Sequence, residues 1–244
     1  VISHDTGSLH VAALADPSTW TEVTTGFVAG GEPMGIFTLS STQTWICGDG
    51  GTIYFTDDPT GGVTVQADGT LSAADLAAIH GCDAMNLIAV GAAGAVLVTA
   101  NGGATWALAD TSPTVDNLTC CWMRSAHCWI VGDDAGHLWY TKNGGASWAE
   151  LRFASVAGTG AIGGIAFADH PDSPFGYLVH NTGAKGFIYR TLDGGNSWYQ
   201  LPDGPGATPD NDSLNAVACA MGPTSANFVV AGGDLDGTNG VVIV

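Results

Sequence analysis

Apolar residues along this chain fall in short runs that are cut repeatedly by Gly, Asn and Asp. Leu87-Ile-Ala-Val90 is followed across a glycine turn by Ala95-Val-Leu-Val98, and Trp129-Ile-Val131 by His137-Leu-Trp-Tyr140. Tyr177-Leu-Val179 and Phe187-Ile-Tyr189 repeat the arrangement. Short β-rich runs bounded by turn formers read as hairpins. The pattern therefore predicts strand, tight turn, strand, over and over.

Each of these hairpins leads into the same octet. Thr99-Ala-Asn-Gly-Gly-Ala-Thr-Trp106, Thr141-Lys-Asn-Gly-Gly-Ala-Ser-Trp148 and Thr191-Leu-Asp-Gly-Gly-Asn-Ser-Trp198 align without gaps, their tryptophans 42 and 50 residues apart. A short polar side chain at Asn101, Asn143 or Asp193 can accept backbone N–H bonds across a tight turn, and the paired glycines permit positive φ. Trp106, Trp148 and Trp198 are then expected to pack between neighbouring units.

Weaker copies extend the series in both directions. Trp45 to Thr56 has the hairpin with a decayed octet at Asp57-Asp-Pro-Thr-Gly-Gly62, and Phe228 to Val244 has a hairpin alone. Ser8 to Trp20 looks like the closing half of a unit. A further short segment precedes each hairpin: Gly35-Ile-Phe-Thr-Leu39, Leu76-Ala-Ala-Ile79, Leu118 to Trp122, Ile162 to Phe167 and Leu214 to Cys219. Their small residues suit an innermost strand.

Four strands per unit over a period of this size is the pattern of a β-propeller blade. The expected fold is thus all-β, a propeller of four-stranded antiparallel blades, six or five in number, forming a single domain over 1–244. Pairing of the N- and C-terminal segments is expected to close the ring, with Trp20-Thr-Glu-Val23 as fourth strand of the C-terminal unit. A solenoid of stacked blades and two packed sandwiches are the structural alternatives.

Composition narrows the function. The chain carries 23 Asp plus Glu against 5 Lys plus Arg, a formal net charge of −18. Nucleic-acid binding rests on clustered basic groups that displace phosphate counterions, and Arg124, Arg152, Arg190, Lys142 and Lys185 supply too few. Anionic membrane surfaces are disfavoured on the same ground. No apolar run is long enough for a membrane span. Cys47, Cys82, Cys120, Cys121, Cys128 and Cys219 contain no C-x-x-C pair and read as buried free thiols.

The octets resemble the Asp-box, or BNR repeat, of the form Ser/Thr-x-Asp-x-Gly-x-Thr-Trp. Two of the three copies carry Asn where that repeat has Asp, which a turn-capping role tolerates and a catalytic role does not. In sialidases the Asp-box propeller is joined by an arginine triad, a tyrosine nucleophile and a glutamate. Here Arg152 and Arg190 sit beside repeat positions, and Glu22, Glu32 and Glu150 are the glutamates. That activity is not expected.

Asp-box glycosidases use a carboxylate pair whose separation is a matter of tertiary structure, so a glycosidase or a carbohydrate-binding propeller with a glycan ligand stays an alternative. The Gly-rich hairpin before an Asn/Asp-Gly-Gly-x-Ser/Thr-Trp turn is similar to repeats of the photosystem II stability and assembly factor family, which implies a protein-assembly role. Leu14-Ala-Asp-Pro-Ser-Thr-Trp-Thr-Glu-Val23 resembles propeller repeats of bacteriophage virion proteins, which implies a structural component on a capsid or tail surface with other virion proteins as partners. That non-enzymatic reading is the expectation taken forward.

Two further motifs bear on chemistry. Gly158-Thr-Gly-Ala-Ile-Gly163 matches G-x-G-x-x-G but continues into a β-like run, so it reads as a loop. The turns between the middle strands carry Asp49, Asp133 with Asp134, and Asp234 with Asp236. Carboxylates in Gly-rich turns can hold Ca²⁺, although solvated turn formers are the simpler reading, and no other cofactor is expected.

Overall fold

The structure is a computed structural model that describes residues 2–3, 8–13, 16–58, 60–151, 160–168, 173–182, 186–201, 213–221, 227–234 and 241–243, with side-chain surroundings between Glu22 and Cys219. The described chain folds into six antiparallel sheets taken in sequence order. The first sheet holds β1 (Ile2–Ser3), β2 (Ser8–Ala13) and β3 (Asp16–Val23). The second holds β4 (Pro33–Ser40), β5 (Gln43–Gly48), β6 (Thr52–Thr56) and β7 (Thr64–Asp68).

The third sheet consists of β8 (Leu76–Gly81), β9 (Leu87–Gly91), β10 (Val96–Thr99) and β11 (Ala107–Leu108). The fourth consists of β12 (Leu118–Ser125), β13 (Cys128–Asp133), β14 (Leu138–Thr141) and β15 (Ala149–Leu151). In the fifth are β16 (Ile162–Phe167), β17 (Gly176–Asn181), β18 (Gly186–Thr191) and β19 (Tyr199–Gln200). The sixth is β20 (Ser213–Met221), β21 (Asn227–Asp234) and β22 (Val241–Ile243).

Within every sheet the strands lie in chain order, each paired antiparallel with the next. The leading strands β4, β8, β12, β16 and β20 touch one another in succession and surround a common axis. This is a β-propeller, and the small residues of these segments do occupy its innermost strands. An added Cβ on Gly163 would lie 2.1 Å from the Leu214 carbonyl oxygen of the neighbouring inner strand, so the close approach requires glycine there.

A regular bulge marks each of those five strands. The register slips between Pro33 and Gly35, Leu76 and Ala78, Leu118 and Cys120, Ile162 and Gly164, and Leu214 and Ala216. One extra residue bends a strand and increases its twist. Repeated at the same position, the bulge turns every inner strand in the same sense around the axis.

Apolar side chains fill the junctions between successive sheets. Val23, Ile46, Tyr54 and Val63 join the first and second sheets. Trp45, Ile79, Leu97 and Trp106 join the second and third, and Ile88, Cys121, Met123 and Trp129 the third and fourth. Ile130, Ile165, Tyr189 and Trp198 close the next junction, and Val179 with Leu214 the last. The core is therefore a series of slabs rather than a single centre.

At the N-terminus Trp20–Val23 lies within β3 and pairs with β2, Trp20 opposite Ala12 and Val23 opposite Leu9. This hairpin closes locally, at low entropic cost. Gly160 to Gly163 leads into β16 with no helix after it, while Gly158 lies outside the described residues. Among the described residues no helix is long and apolar enough to cross a membrane.

Candidate functional site

The three octets occupy one end of the ring, where the inner strands finish. In the first, the buried Thr99 hydroxyl donates to Asn101 Oδ1 (2.8 Å) and accepts the N–H groups of Asn101 (3.2 Å) and Gly103 (3.0 Å). Asn101 Oδ1 then accepts the Thr105 N–H at 2.9 Å. The same bonds recur from Thr141 to Ser147 and from Thr191 to Ser197. Gly103, Gly145 and Gly195 have φ of 88°, 82° and 91°, which other residues rarely adopt.

Asn and Asp differ in one bond only. Asn101 and Asn143 donate an amide N–H to the Thr105 and Ser147 hydroxyls, both at 2.8 Å, whereas the Ser197 hydroxyl donates to Asp193 Oδ2 at 2.5 Å. A hydroxyl both donates and accepts, so it rotates to suit either partner. Burial raises the Asp193 pKa, but the bonds from Ser197, Thr191 and the Asn196 N–H outweigh it and hold the carboxyl below its ordinary 3.8.

The octet tryptophans lie at sheet junctions. Trp106 Nε1 donates to Gln66 Oε1 (3.3 Å) in the preceding sheet, and Trp148 Nε1 to the Thr111 carbonyl (3.0 Å). Trp198 donates to its own turn at Gly195 (3.1 Å) while its ring packs beside Phe167. Arg124 reaches from the fourth sheet to the Gly194 carbonyl. Every polar group named here is used in fastening a turn.

The acidic turns lie at the opposite end. Asp133 is fully buried: Oδ1 accepts the N–H groups of Ala135 (3.1 Å) and His137 (2.7 Å), and Oδ2 accepts Trp139 Nε1 (2.9 Å) and lies 3.1 Å from His137 Nδ1. Asp116, Asp133 and His137 bring ligand atoms within 4.8 Å of one another. Asp134 instead accepts from Asn117 Nδ2 at 2.8 Å, and Asp49 sits in the equivalent β5–β6 turn. Asp234 ends β21, with its side chain, like Asp236, outside the described residues.

Sequence reasoning assigned no structural role to Asp75 or Asn117, the residues just before β8 and β12. Asp75 Oδ1 accepts the Gly50 N–H (2.8 Å) and Asn117 Oδ1 the Ala93 N–H (3.0 Å), each reaching back to the turn of the preceding sheet. Their signal is positional: an Asx residue immediately ahead of the inner strand in two successive repeats.

The axis is the third feature and also went unread. It holds a cavity of about 300 Å³ lined by all five inner strands. Phe37, His80, Trp122 and Phe167 form a continuous row of rings across four of them, with centroids 4.8, 3.9 and 5.7 Å apart. His80 Nδ1 accepts the Met123 N–H at 3.2 Å, which places the ring proton on Nε2. Desolvation lowers the His80 pKa to about 3, and burial pushes the Cys120 thiol up to about 12 and Cys121 well above its ordinary value. All six cysteines are free.

No known family pattern matches this chain, and no curated protein sequence matches it. Solved structures do resemble it. YCF48 bound to D1 peptide superposes with a TM-score of 0.59 at 15% identity, over 82% of this chain and 62% of that one. An ancestral GH74 enzyme gives 0.66 at 15% identity, over 94% of this chain and 33% of that one. The U3-55K structure gives 0.58 at 14% identity, over 87% and 63%. The chain thus spans less than two thirds of the length of these neighbours, and at such identities the likeness is one of fold: this chain is a β-propeller.

Proposed function

We propose that the chain is a non-enzymatic protein-interaction propeller, its six sheets forming one ring domain, displayed on the surface of a bacteriophage capsid or tail. The observation that carries the non-enzymatic part is the axial cavity. Among the described residues no Asp or Glu lines it, its thiols are held protonated by burial, and its one imidazole is held neutral. Acid–base or nucleophilic chemistry calls for groups poised near neutrality, and these are displaced from it.

The likeness to YCF48 solved with a peptide supports a protein partner, as does the resemblance to photosystem II assembly-factor repeats. The virion assignment is supported by the resemblance of Leu14–Val23 to virion propeller repeats and by the acidic composition, which favours solubility of a displayed surface. Sedimentation of purified particles tests it. The chain should remain at a fixed, symmetry-related copy number through high-salt washing, and recovery only as free protein refutes the assignment.

A glycan-directed reading is favoured by one observation, a groove of about 530 Å³ between the octets of the third and fourth sheets that presents Asn101, Thr105, His127 and Asn143. The likeness to GH74 folds agrees with it. A polysaccharide panel read for both binding and released sugar separates the two. Release of sugar that survives purification and is lost on an Asp→Asn change would replace the non-enzymatic proposal.

A further inference from the structure

The turn between the second and third strands of a sheet can be compared residue by residue in the second, third and fourth sheets. The inner strand pairs first at Pro33 with Gly48, at Leu76 with Gly91 and at Leu118 with Asp133. The next residue, Asp49, Ala92 or Asp134, donates its N–H to the carbonyl just ahead of that strand, on Glu32, Asp75 or Asn117. Two residues further on, Gly51, Gly94 and Gly136 have φ of 74°, 69° and 90°. The three turns share one backbone plan.

Of the three, only the fourth sheet adds a set of ligating side chains to that plan. Asp133 stands where the other two have Gly48 and Gly91, His137 where they have Thr52 and Ala95, and Asp116 where they have Gly31 and Ala74. At Gly48 and Gly91 an added Cβ would lie 2.0 and 1.9 Å from the Glu32 and Asp75 carbonyl oxygens, so those two turns leave no room for a side chain. The fourth sheet makes room, and the carboxylate it admits is fully buried. A buried carboxylate needs a countercharge, and among the described residues no Lys or Arg pairs with Asp133. The turn forms in two repeats without these three residues, so turn chemistry does not account for them.

We propose that Asp116, Asp133 and His137 form a binding site for one divalent transition-metal ion such as Zn²⁺. A ligand atom from each lies within 4.8 Å of the others. His137 Nδ1 and Asp133 Oδ2, 3.1 Å apart, already have the spacing of adjacent ligands around a metal with bonds of about 2.0–2.2 Å. The ion takes the place of the Nδ1 proton that faces Oδ2, and that proton is released. Oδ1 keeps the Ala135 and His137 N–H groups and Oδ2 keeps Trp139 Nε1, an outer shell that fixes the carboxylate. The Thr114 hydroxyl, donating at 2.8 Å, does the same for Asp116. An imidazole beside two carboxylates suits Zn²⁺ rather than Ca²⁺, which takes roughly six to eight oxygen ligands. The His137 side chain is 42% exposed, which gives the ion a way in.

Calorimetric titration of the chelator-treated full chain with zinc chloride tests it, alongside optical spectra of the Co²⁺ form. One site per chain in the micromolar range is expected, with visible cobalt bands but no thiolate charge-transfer band, which separates it from binding by the free cysteines. Asp116→Ala and His137→Thr install the residues that the third and second sheets carry at these positions. Each should keep its metal-free melting temperature and weaken Zn²⁺ binding by more than about tenfold, the loss already typical of an outer-shell partner. Should Asp116→Ala melt early, Asp116→Asn, which keeps an acceptor for Thr114, reads the same loss. His127→Gln, at an exposed imidazole on the octet end, should leave binding unchanged. No saturable binding, equal binding by the Asp116 or His137 variants, or a thiolate band overturns the proposal. Displacement of Zn²⁺ by equimolar Ca²⁺ also overturns it, since the imidazole would then be no ligand.

Discussion

Acidification should destabilise this propeller through His80. The ring lies between Phe37 and Trp122 on the axis, and desolvation brings its pKa from 6.5 to about 3. A folded-state pKa below the unfolded one means that the unfolded chain binds the extra proton between those values. The stability is fully present above pH 6.5 and is lost as pH falls toward 3, at about 1.4 kcal/mol per pH unit. By pH 5 the loss attributable to His80 is about 2 kcal/mol.

His80→Phe isolates this contribution. Phenylalanine keeps a ring in the stack but leaves the Met123 N–H without its acceptor, a cost of about 1–2 kcal/mol that does not depend on pH. The variant should therefore be the weaker protein at pH 7.5 and draw level with or pass the parent by pH 5. Urea unfolding followed by circular dichroism at pH 7.5, 6 and 5 measures it. Asp58, Asp68, Asp83 and Asp193, whose pKa values are lowered from 3.8, act only at more acid pH. Parallel stability curves for the two proteins would refute the assignment of a buried neutral imidazole.

Thr141→Val should cost about 1–3 kcal/mol, since it strips the acceptor from the buried Gly145 N–H while preserving shape, and chemical denaturation reads it directly. Asp193→Asn should be within about 0.5 kcal/mol of the parent at pH 7, because Ser197 can accept from an amide as Ser147 does, and should flatten the acid limb below about pH 4. Asp193→Ala should be clearly weaker than both. Trp198→Ala should lose about 3–5 kcal/mol from the junction of the fourth and fifth sheets, seen as a lowered melting temperature. Millimolar Ca²⁺ should leave the melting temperature unchanged, because Asp133 would have to release its existing N–H donors; a rise abolished by Asp133→Asn would reverse that view.

The blades were legible because turn chemistry is local. Thr-x-Asn/Asp-Gly-Gly-x-Ser/Thr-Trp closes its bonds within eight residues, so its form shows in the string whatever surrounds it. The axis was illegible for the opposite reason. Phe37, His80 and Trp122 stand 43 and 42 residues apart and look like unrelated members of apolar segments until the bulge brings them into one register. The register of the β2–β3 hairpin was not legible, because it follows from hairpin geometry, which periodicity does not encode.

The junction slabs described above also set how the molecule comes apart. Each apolar cluster joins neighbouring sheets, and the Asp75 and Asn117 bonds link each sheet to the one before it. Nearest-neighbour coupling of this kind makes each sheet a cooperative unit whose opening exposes the junction faces of the sheets beside it. The third sheet is tied to both neighbours by these bonds, so losing either Asp75 or Asn117 should speed amide exchange in β9 as well as in the sheet at the other end of the bond.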